Sequence, residues 1–292
     1  MSAPSARNSA KPVAAARSRA ASDATLGKAR AKNSRSTAFY AVWMFDFDNT
    51  LAPLELAVDW AKSRRELQAW LALRGVAAAL FEEFPRGNLV LYEALRARLC
   101  ADGDTARPVL ARGDIGITAG NGGAPQTLNE RRALLDGASV VIERHELAGV
   151  RALAPAPGAI EVLRALRAAG SAVAIVTSNS SRVITAWLKT HDAAEVVDLI
   201  VGRDSGLALK LSPAMVERVL EACAATRADA AFVGDSEADI NAAAAAGVRF
   251  YGVNAKPEGR DRLITLGASQ VFSSPYALAI YLGLPIEGAA NA

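Results

Sequence analysis

The sequence predicts an α/β fold built on a doubly wound parallel sheet, with a helical segment inserted after the first strand and a separate basic tail in front. Three observations lead there. Short apolar runs alternate with helical periodicities over residues 155–286, residues 55–154 carry helical patterning without a convincing strand, and residues 1–38 hold almost no large aliphatic side chain.

Each element follows from its own pattern. The chain has 292 residues, 51% of them hydrophobic, enough to bury a substantial core. Ala41-Val42-Trp43-Met44-Phe45 is a short apolar run with Asp46 directly behind it, the signature of a strand buried on both faces. Comparable runs cover residues 172–176, 196–201, 230–233 and 248–253, with a weaker one at 270–272. Helical periodicity covers 160–169, 182–189, 213–225 and 237–246, and Gly170 and Gly247 stand where helix C-caps are expected. Strands alternating with helices of this length specify a parallel sheet. The alternation breaks in the middle of the chain, where helical patterning spans 56–73, 89–99 and 127–147 around a Gly-rich loop at 113–123. The expected organisation is therefore a disordered basic tail at 1–38, an α/β core formed by 39–54 and 155–286, and an inserted helical cap at 55–154.

Charge is distributed unevenly. The net charge is +3, but residues 1–38 contain eight of the 33 basic side chains and one of the 30 acids, leaving 25 against 29 in the remainder. The body is thus mildly acidic, and a nucleic-acid partner is not expected of it. The tail resembles an organellar transit peptide in its Arg/Ser richness, but a solvated extension is the preferred reading. Contact of this arm with nucleic acid or another polyanion is the remaining alternative. No apolar run approaches the ~20 residues a membrane helix needs, so no membrane partner is expected. Cys100 and Cys223 lack paired spacing and have no nearby His, which suits a reducing cytoplasm and two buried, inert thiols.

Ligands of open α/β sheets bind at the carboxyl ends of the strands. Asp46 and Asp48 follow the first strand, and Thr177, Ser178 and Asn179 follow the second. Lys210 lies in the loop after the third, and Gly234-Asp235-Ser236-Glu237-Ala238-Asp239 follows the fourth. Several carboxylates in one crevice repel one another unless a cation sits among them. Oxygen ligands without His or Cys select a hard ion such as Mg²⁺, which typically binds through one or two carboxylates, water and substrate phosphate. A lysine and a hydroxyl beside them would hold phosphoryl oxygens. This collection is suited to phosphoryl transfer.

The order Asp46-Phe47-Asp48-Asn49-Thr50, a strand ending at Thr177, Lys210, and the Gly234–Asp239 segment resembles the haloacid dehalogenase superfamily. The segment Pro157-Gly158-Ala159-Ile160-Glu161-Val162-Leu163 and the approach to Lys210 are similar to the phosphoglycolate-phosphatase-like branch, whose cap is helical (C1-type). The resemblance covers about residues 39–53 and 155–285; the insert matches only in position and helical character. It implies that Asp46 is a nucleophile forming an aspartyl-phosphate and that Asp48 is the general acid and base. It implies that Asp46 and Asp235, the backbone carbonyl of Asp48, and Asp239 directly or through water hold Mg²⁺. Thr177 and Lys210, with backbone N–H groups near Phe47 and Ser178, would bind the phosphoryl group, and Thr50 would orient the Asp46 loop. The expected partner is a small phosphorylated metabolite.

Plainer readings exist for neighbouring residues. Glu237 suits a helix-start acid, His145 and His191 suit surface or helix-end positions, and Trp60 and Trp70 suit the interior of the cap. Arg86, Arg96, Arg98 and Arg131 are candidates to meet an anionic substrate. A dehalogenase is disfavoured by Asp48. A phosphonatase would need a cap lysine, and the insert offers only Lys62; a mutase or other phosphotransferase lacks a histidine at cap entry. A non-catalytic phosphate-binding module is the alternative outside enzymes, against which Asp46 and Asp48 both stand. Deleting residues 1–38 is expected to leave melting temperature and turnover unchanged; a large loss in either would show that the tail belongs to the folded enzyme.

Overall fold

In the computed structural model, residues 40–100 and 127–286 are described. Six strands form one sheet: β1 (Val42–Phe45), β2 (Ala172–Val176), β3 (Leu199–Val201), β4 (Ala230–Gly234), β5 (Arg249–Val253) and β6 (Val271–Phe272). Their order is β3-β2-β1-β4-β5-β6 with every pairing parallel, so the chain winds outward from β1 in both directions.

The strands read as continuous apolar runs because both faces are covered. On β1, Val42 and Met44 face one interior, together with Ala174, Val176, Ala230 and Phe232. Trp43 and Phe45 face the other, with Val173, Ile175, Ala231 and Val233. The first face is covered by α8 (Ala214–Ala222), α9 (Glu237–Ala246) and Leu263 of α10 (Pro257–Thr265). The second is covered by α6 (Ala159–Ala168), α7 (Ser181–Thr190) and α11 (Pro275–Tyr281). All four residues of β1 are fully buried. At ~1.5–3 kcal/mol for each large apolar side chain removed from water, this strand is the most strongly held element of the sheet.

Between β1 and β2 lie α1 (Leu54–Ala57), α2 (Trp60–Ala72), α3 (Ala78–Glu83), α4 (Asn88–Leu99) and α5 (Leu128–Val150). No strand interrupts them among the described residues. The helix expected over 56–73 is two helices, because Asp59 leaves the helical path and caps α2, accepting from Lys62 N–H at 2.8 Å. Helix α3 carried too short a periodicity to be anticipated. The Gly-rich stretch at 113–123 lies outside the described residues. Leu67, Leu71, Leu91, Leu95 and Ile142 of the insertion share one continuous apolar interior with Val42 and Met44 of the sheet. Among the described residues, no helix is long and apolar enough to cross a membrane.

Other boundaries moved for local reasons. The run at 196–201 begins as a 3₁₀ turn, Ala194–Val196, and only its end pairs with β2. Helix α8 stops at Ala222 instead of 225, where Ala224 takes φ +47°. Gly247 adopts the left-handed C-cap as expected. Cys100 and Cys223 are half-buried and not fully buried, since each closes a helix at the rim of the core.

Trp60 and Trp70 pack partly buried against the interior as expected. Gly137 of α5 admits the Trp70 indole: a Cβ there would lie 2.3 Å from a ring carbon. Gly137→Ala is expected to destabilise the fold by about 1–3 kcal/mol in urea titrations, as overpacking does. Adding Trp70→Phe should return part of that loss, and no recovery would mean that the two helices do not meet there.

Candidate functional site

The site assembles at the carboxyl edge of the sheet because β1 and β4 are adjacent and end together. Asp46 leaves β1 with its N–H still bonded to Val233 of β4 at 2.8 Å, so its backbone is fixed by the ladder. The chain then reverses. The Phe47 carbonyl accepts from the N–H groups of Thr50, Leu51 and Ala52, and Asn49 takes φ +57°, a left-handed conformation that Asn tolerates. Buried Thr50 lies with its hydroxyl 3.5 Å from Asp46 Oδ2, which fits the expected orienting role. Asp48 is held separately: its Oδ1 accepts from the Glu55 N–H at 2.8 Å.

Three segments contribute charge. Asp46, Asp235 and Asp239 each bring a carboxylate oxygen within 4.8 Å of the others, a group able to hold a metal ion. The Asp48 carboxylate is not part of that group, because Glu55 draws it aside. Gly234, the last residue of β4, lets this happen: a Cβ on it would lie 2.5 Å from the Asp239 Cβ. Asp239 also closes the start of α9. Its Oδ2 accepts from the Ser236 N–H (3.1 Å) and hydroxyl (2.6 Å), while Ser236 caps the Asp239 N–H. Lys210 arrives from the loop before α8 and inserts its ammonium between Asp46 Oδ1 and Asp239 Oδ1, the latter at 2.7 Å. The next residue, Leu211, is held at φ +96°, a strained conformation for a non-glycine residue.

Burial dominates the electrostatics. It raises Asp46 to about 7, with Lys210 opposing and Asp239 and Asp48 adding to the shift. It raises Asp235 to about 9, reinforced by the charges of Asp46 and Asp239. It raises Asp48 to about 6, opposed by the Glu55 N–H. Burial works against the Lys210 charge as well, but Asp239 and Asp46 outweigh it and hold the side chain as an ammonium. One lysine among four acids leaves negative charge uncompensated, which fits a cation at the Asp46–Asp235–Asp239 cluster. The buried Asp239 Oδ1 accepts no hydrogen bond of regular geometry and meets only the Lys210 ammonium, which also fits.

The second-strand loop is held by hydrogen bonds of its own. Thr177 is fully buried, and its hydroxyl donates to Asn179 Oδ1 (3.0 Å) while accepting from the Asn179 N–H (3.1 Å). Ser178 is half-buried beside it. Sequence reasoning missed what lies beneath. Arg203, just after β3, is fully buried and forms a two-pronged ion pair with Glu146 of α5, both contacts at 2.9 Å. Glu146 also accepts from Asn179 Nδ2 at 2.9 Å, and neighbouring Glu143 accepts from the Ser180 hydroxyl at 2.5 Å. The only sequence signal was two acids in an apolar stripe of α5 and an arginine immediately behind a strand. On α4, Glu93 accepts from the Leu209 N–H at 3.3 Å, so the insertion reaches the Lys210 loop too.

The remaining candidates have partners elsewhere. Arg96 pairs with Glu93, Arg98 with Glu83, and Arg131 donates to the Leu99 carbonyl; Arg86 is exposed. Glu237 pairs with Arg262, His145 with Glu66, and His191 closes α7 against the Leu153 carbonyl. Lys62 is exposed.

Residues 40–247 match the family model described as haloacid dehalogenase-like hydrolase. A phosphoglycolate phosphatase of Rhodospirillum rubrum is 32% identical over 132 residues, 45% of this chain and 54% of that protein. One of Pseudomonas putida is 33% identical over 111 residues, 38% of this chain and 39% of that protein. The chain therefore spans about half or less of the length of these relatives. The crystal structure of CbbY from Rhodobacter sphaeroides in complex with phosphate superposes with a TM-score of 0.52 at 19% identity, covering 82% of this chain and 96% of that one. The haloacid dehalogenase-like protein SP0104 from Streptococcus pneumoniae gives 0.50 at 13% identity, covering 83% and 98%. These two likenesses concern the fold.

The carboxyl shifts set a stability profile. A carboxyl whose folded pKa lies above its unfolded value of ~3.9 favours the fold while protonated, and that stability is lost as pH rises toward the folded pKa. The melting temperature of metal-free protein is expected to fall from pH 5 to pH 8. Asp235→Asn should flatten this fall by raising the value at pH 8 with little effect at pH 5. Parallel profiles for the two proteins would show that Asp235 is not the buried acid responsible.

Proposed function

The chain belongs to the haloacid dehalogenase-like hydrolase family, and on that premise we propose that it is a Mg²⁺-dependent phosphomonoester hydrolase acting on a small phosphorylated metabolite. One observation carries the reading: the Asp46 carboxylate stands at the end of β1 against the Lys210 ammonium and within 4.8 Å of carboxylate oxygens of Asp235 and Asp239. A carboxylate so placed faces whatever anion the lysine and a cation draw in.

Asp46 attacks phosphorus while the bond to the leaving oxygen breaks, giving an aspartyl-phosphate and splitting one difficult displacement into two. Asp48 gives its proton to the leaving oxygen. It then takes a proton from the water that attacks the aspartyl-phosphate, and release of phosphate restores Asp46. A value near 6 suits Asp48 to both duties near neutral pH. Lys210 balances charge on Asp46 before substrate binds and holds a phosphoryl oxygen afterwards, with Thr177 and the N–H groups near Phe47 and Ser178 completing the cradle. Carboxylates of Asp46 and Asp235, the Asp48 carbonyl and Asp239 would hold Mg²⁺. Bound there, the ion supplies positive charge to the phosphoryl oxygens.

The insertion acts as a cap over the core and favours small substrates, a reading supported by the contacts of α4 and α5 with the Lys210 and Thr177 loops. The names of the curated relatives make phosphoglycolate the first metabolite to test. The wide sequence spacing of Cys100 and Cys223, with no CxxC pattern, accords with work in a reducing cytoplasm.

Phosphate release from an aryl phosphate or phosphoglycolate is expected to require Mg²⁺ and to cease when the metal is chelated. Asp46→Asn should lower kcat by at least about a thousandfold with the fold intact. Asp48→Asn should cost about 10²–10⁴, the range of general acid–base catalysis. Near-normal rates for Asp46→Asn would remove it as nucleophile, and no release by wild type at saturating Mg²⁺ would end the enzyme reading.

A further inference from the structure

A polar cluster around Arg203 lies in the interior outside the carboxylate site. All five guanidinium N–H groups have acceptors. Nη1 donates to Glu146 Oε1 (2.9 Å) and to the Ser178 carbonyl (2.9 Å), and Nη2 to Glu146 Oε2 (2.9 Å) and the Ser139 carbonyl (3.3 Å). Nε donates to the Ser139 hydroxyl at 3.0 Å. The Arg203 backbone N–H donates to the Asn179 carbonyl at 2.8 Å. Glu146 in turn accepts from Asn179 Nδ2 and from the Ser180 N–H at 3.4 Å.

The residues so restrained are those that follow Thr177. Arg203 binds the carbonyl oxygens of Ser178 and Asn179, two groups that would repel a phosphoryl anion if the loop turned over. Glu146 fixes the Asn179 side chain, and Asn179 fixes the Thr177 hydroxyl. The whole segment is thereby set by one buried ion pair whose members come from α5 and from the turn after β3. Gly202 lets that turn approach: a Cβ on it would lie 2.5 Å from the Ser181 nitrogen and 2.8 Å from the Asn179 carbonyl oxygen. A packed apolar pair in place of a buried ion pair is often as stable or more so, so stability is weak grounds for charge at this depth. Geometry accounts for it better. A rigid fork reaching five acceptors holds a loop in one conformation where an apolar side chain would not.

We propose that Arg203, braced by Glu146, is a positioning residue that holds the Thr177–Ser180 loop in its phosphate-binding conformation and so ties substrate affinity to the docking of α5. The inference rests on the phosphomonoesterase reading given above. It assigns no contact between Arg203 and substrate.

The test uses full-length protein with Mg²⁺, an aryl phosphate as substrate and inorganic phosphate as competitive inhibitor. Arg203→Met strands the Glu146 carboxylate and should lower the melting temperature more than the double variant Arg203→Met with Glu146→Gln, which removes both charges. In the double variant KM and the phosphate inhibition constant should each rise about tenfold or more, with kcat falling less, since the loop is misplaced and the nucleophile is not. Values within twofold of wild type in a folded double variant would overturn the proposal and leave the pair a brace of the core. Should the double variant fail to fold, Arg203→Lys keeps the buried charge without the five-way reach. The same rise in the inhibition constant is expected for it, and a wild-type constant would overturn the proposal. If wild type itself neither releases nor binds phosphate, the hydrolase reading fails, a result distinct from a normal variant beside an active wild type.

Discussion

Much of this protein depends on holding Asp46, Asp235 and Asp239 together around one ammonium at the edge of a buried sheet. Like charges this close in a poorly polarisable interior push their own fold apart, and burial moves the carboxyls upward rather than letting them disperse. The arrangement persists because the backbone around it is fixed by other forces. Strand β1 is buried on both faces, Asp46 is still bonded to β4, and Asp239 is locked into the first turn of α9 by Ser236. The hydrophobic sheet is thus the frame that lets an unfavourable cluster of negative charge exist, one that a bound cation would relieve.

Part of the backbone strain lies at the same edge, while Asp192 and Ala224 take positive φ just beyond helix ends. Among non-glycine residues with positive φ, Asn49 lies in the loop that carries Asp48, and Leu211 directly follows Lys210. Leu211 sits where the chain turns after bringing Lys210 to the cluster, and Asn49 where it turns between Asp48 and Thr50. Gly234 and Gly202 solve the opposite problem, close approach, one beside Asp239 and the other beneath the Thr177 loop. Backbone conformation, more than side-chain choice, is what the catalytic edge demands of these positions.

The inserted helices carry a second polar system under the first. Two acids of α5, Glu143 and Glu146, meet the loop after β2, while Glu93 of α4 meets the loop before Lys210. The insertion also shares its apolar interior with one face of the sheet. Any motion of α5 is therefore felt in the loop that would receive the phosphoryl group. This gives a physical route by which the inserted helices would influence that loop.

Local pattern alone determined the strands, most helices, and the arrival of Asp46, Thr177, Lys210 and Asp235 at one edge of the sheet. That information is local because Asp46, Thr177 and Asp235 stand at the end of an apolar run and Lys210 in the loop behind another, and a parallel sheet sends every such end to the same side. What tertiary structure decided was pairing across distance. Arg203 and Glu146 are 57 residues apart and Asn179 and Glu146 are 33 apart, with no periodicity to connect them. Their charges looked like those of any solvated side chain until packing removed the water. Asp48 was set apart from the metal-competent carboxylates in the same way, by the Glu55 N–H across a turn. Sequence could specify which groups reach the site, but only the fold could determine which of them lose their solvent and must satisfy one another.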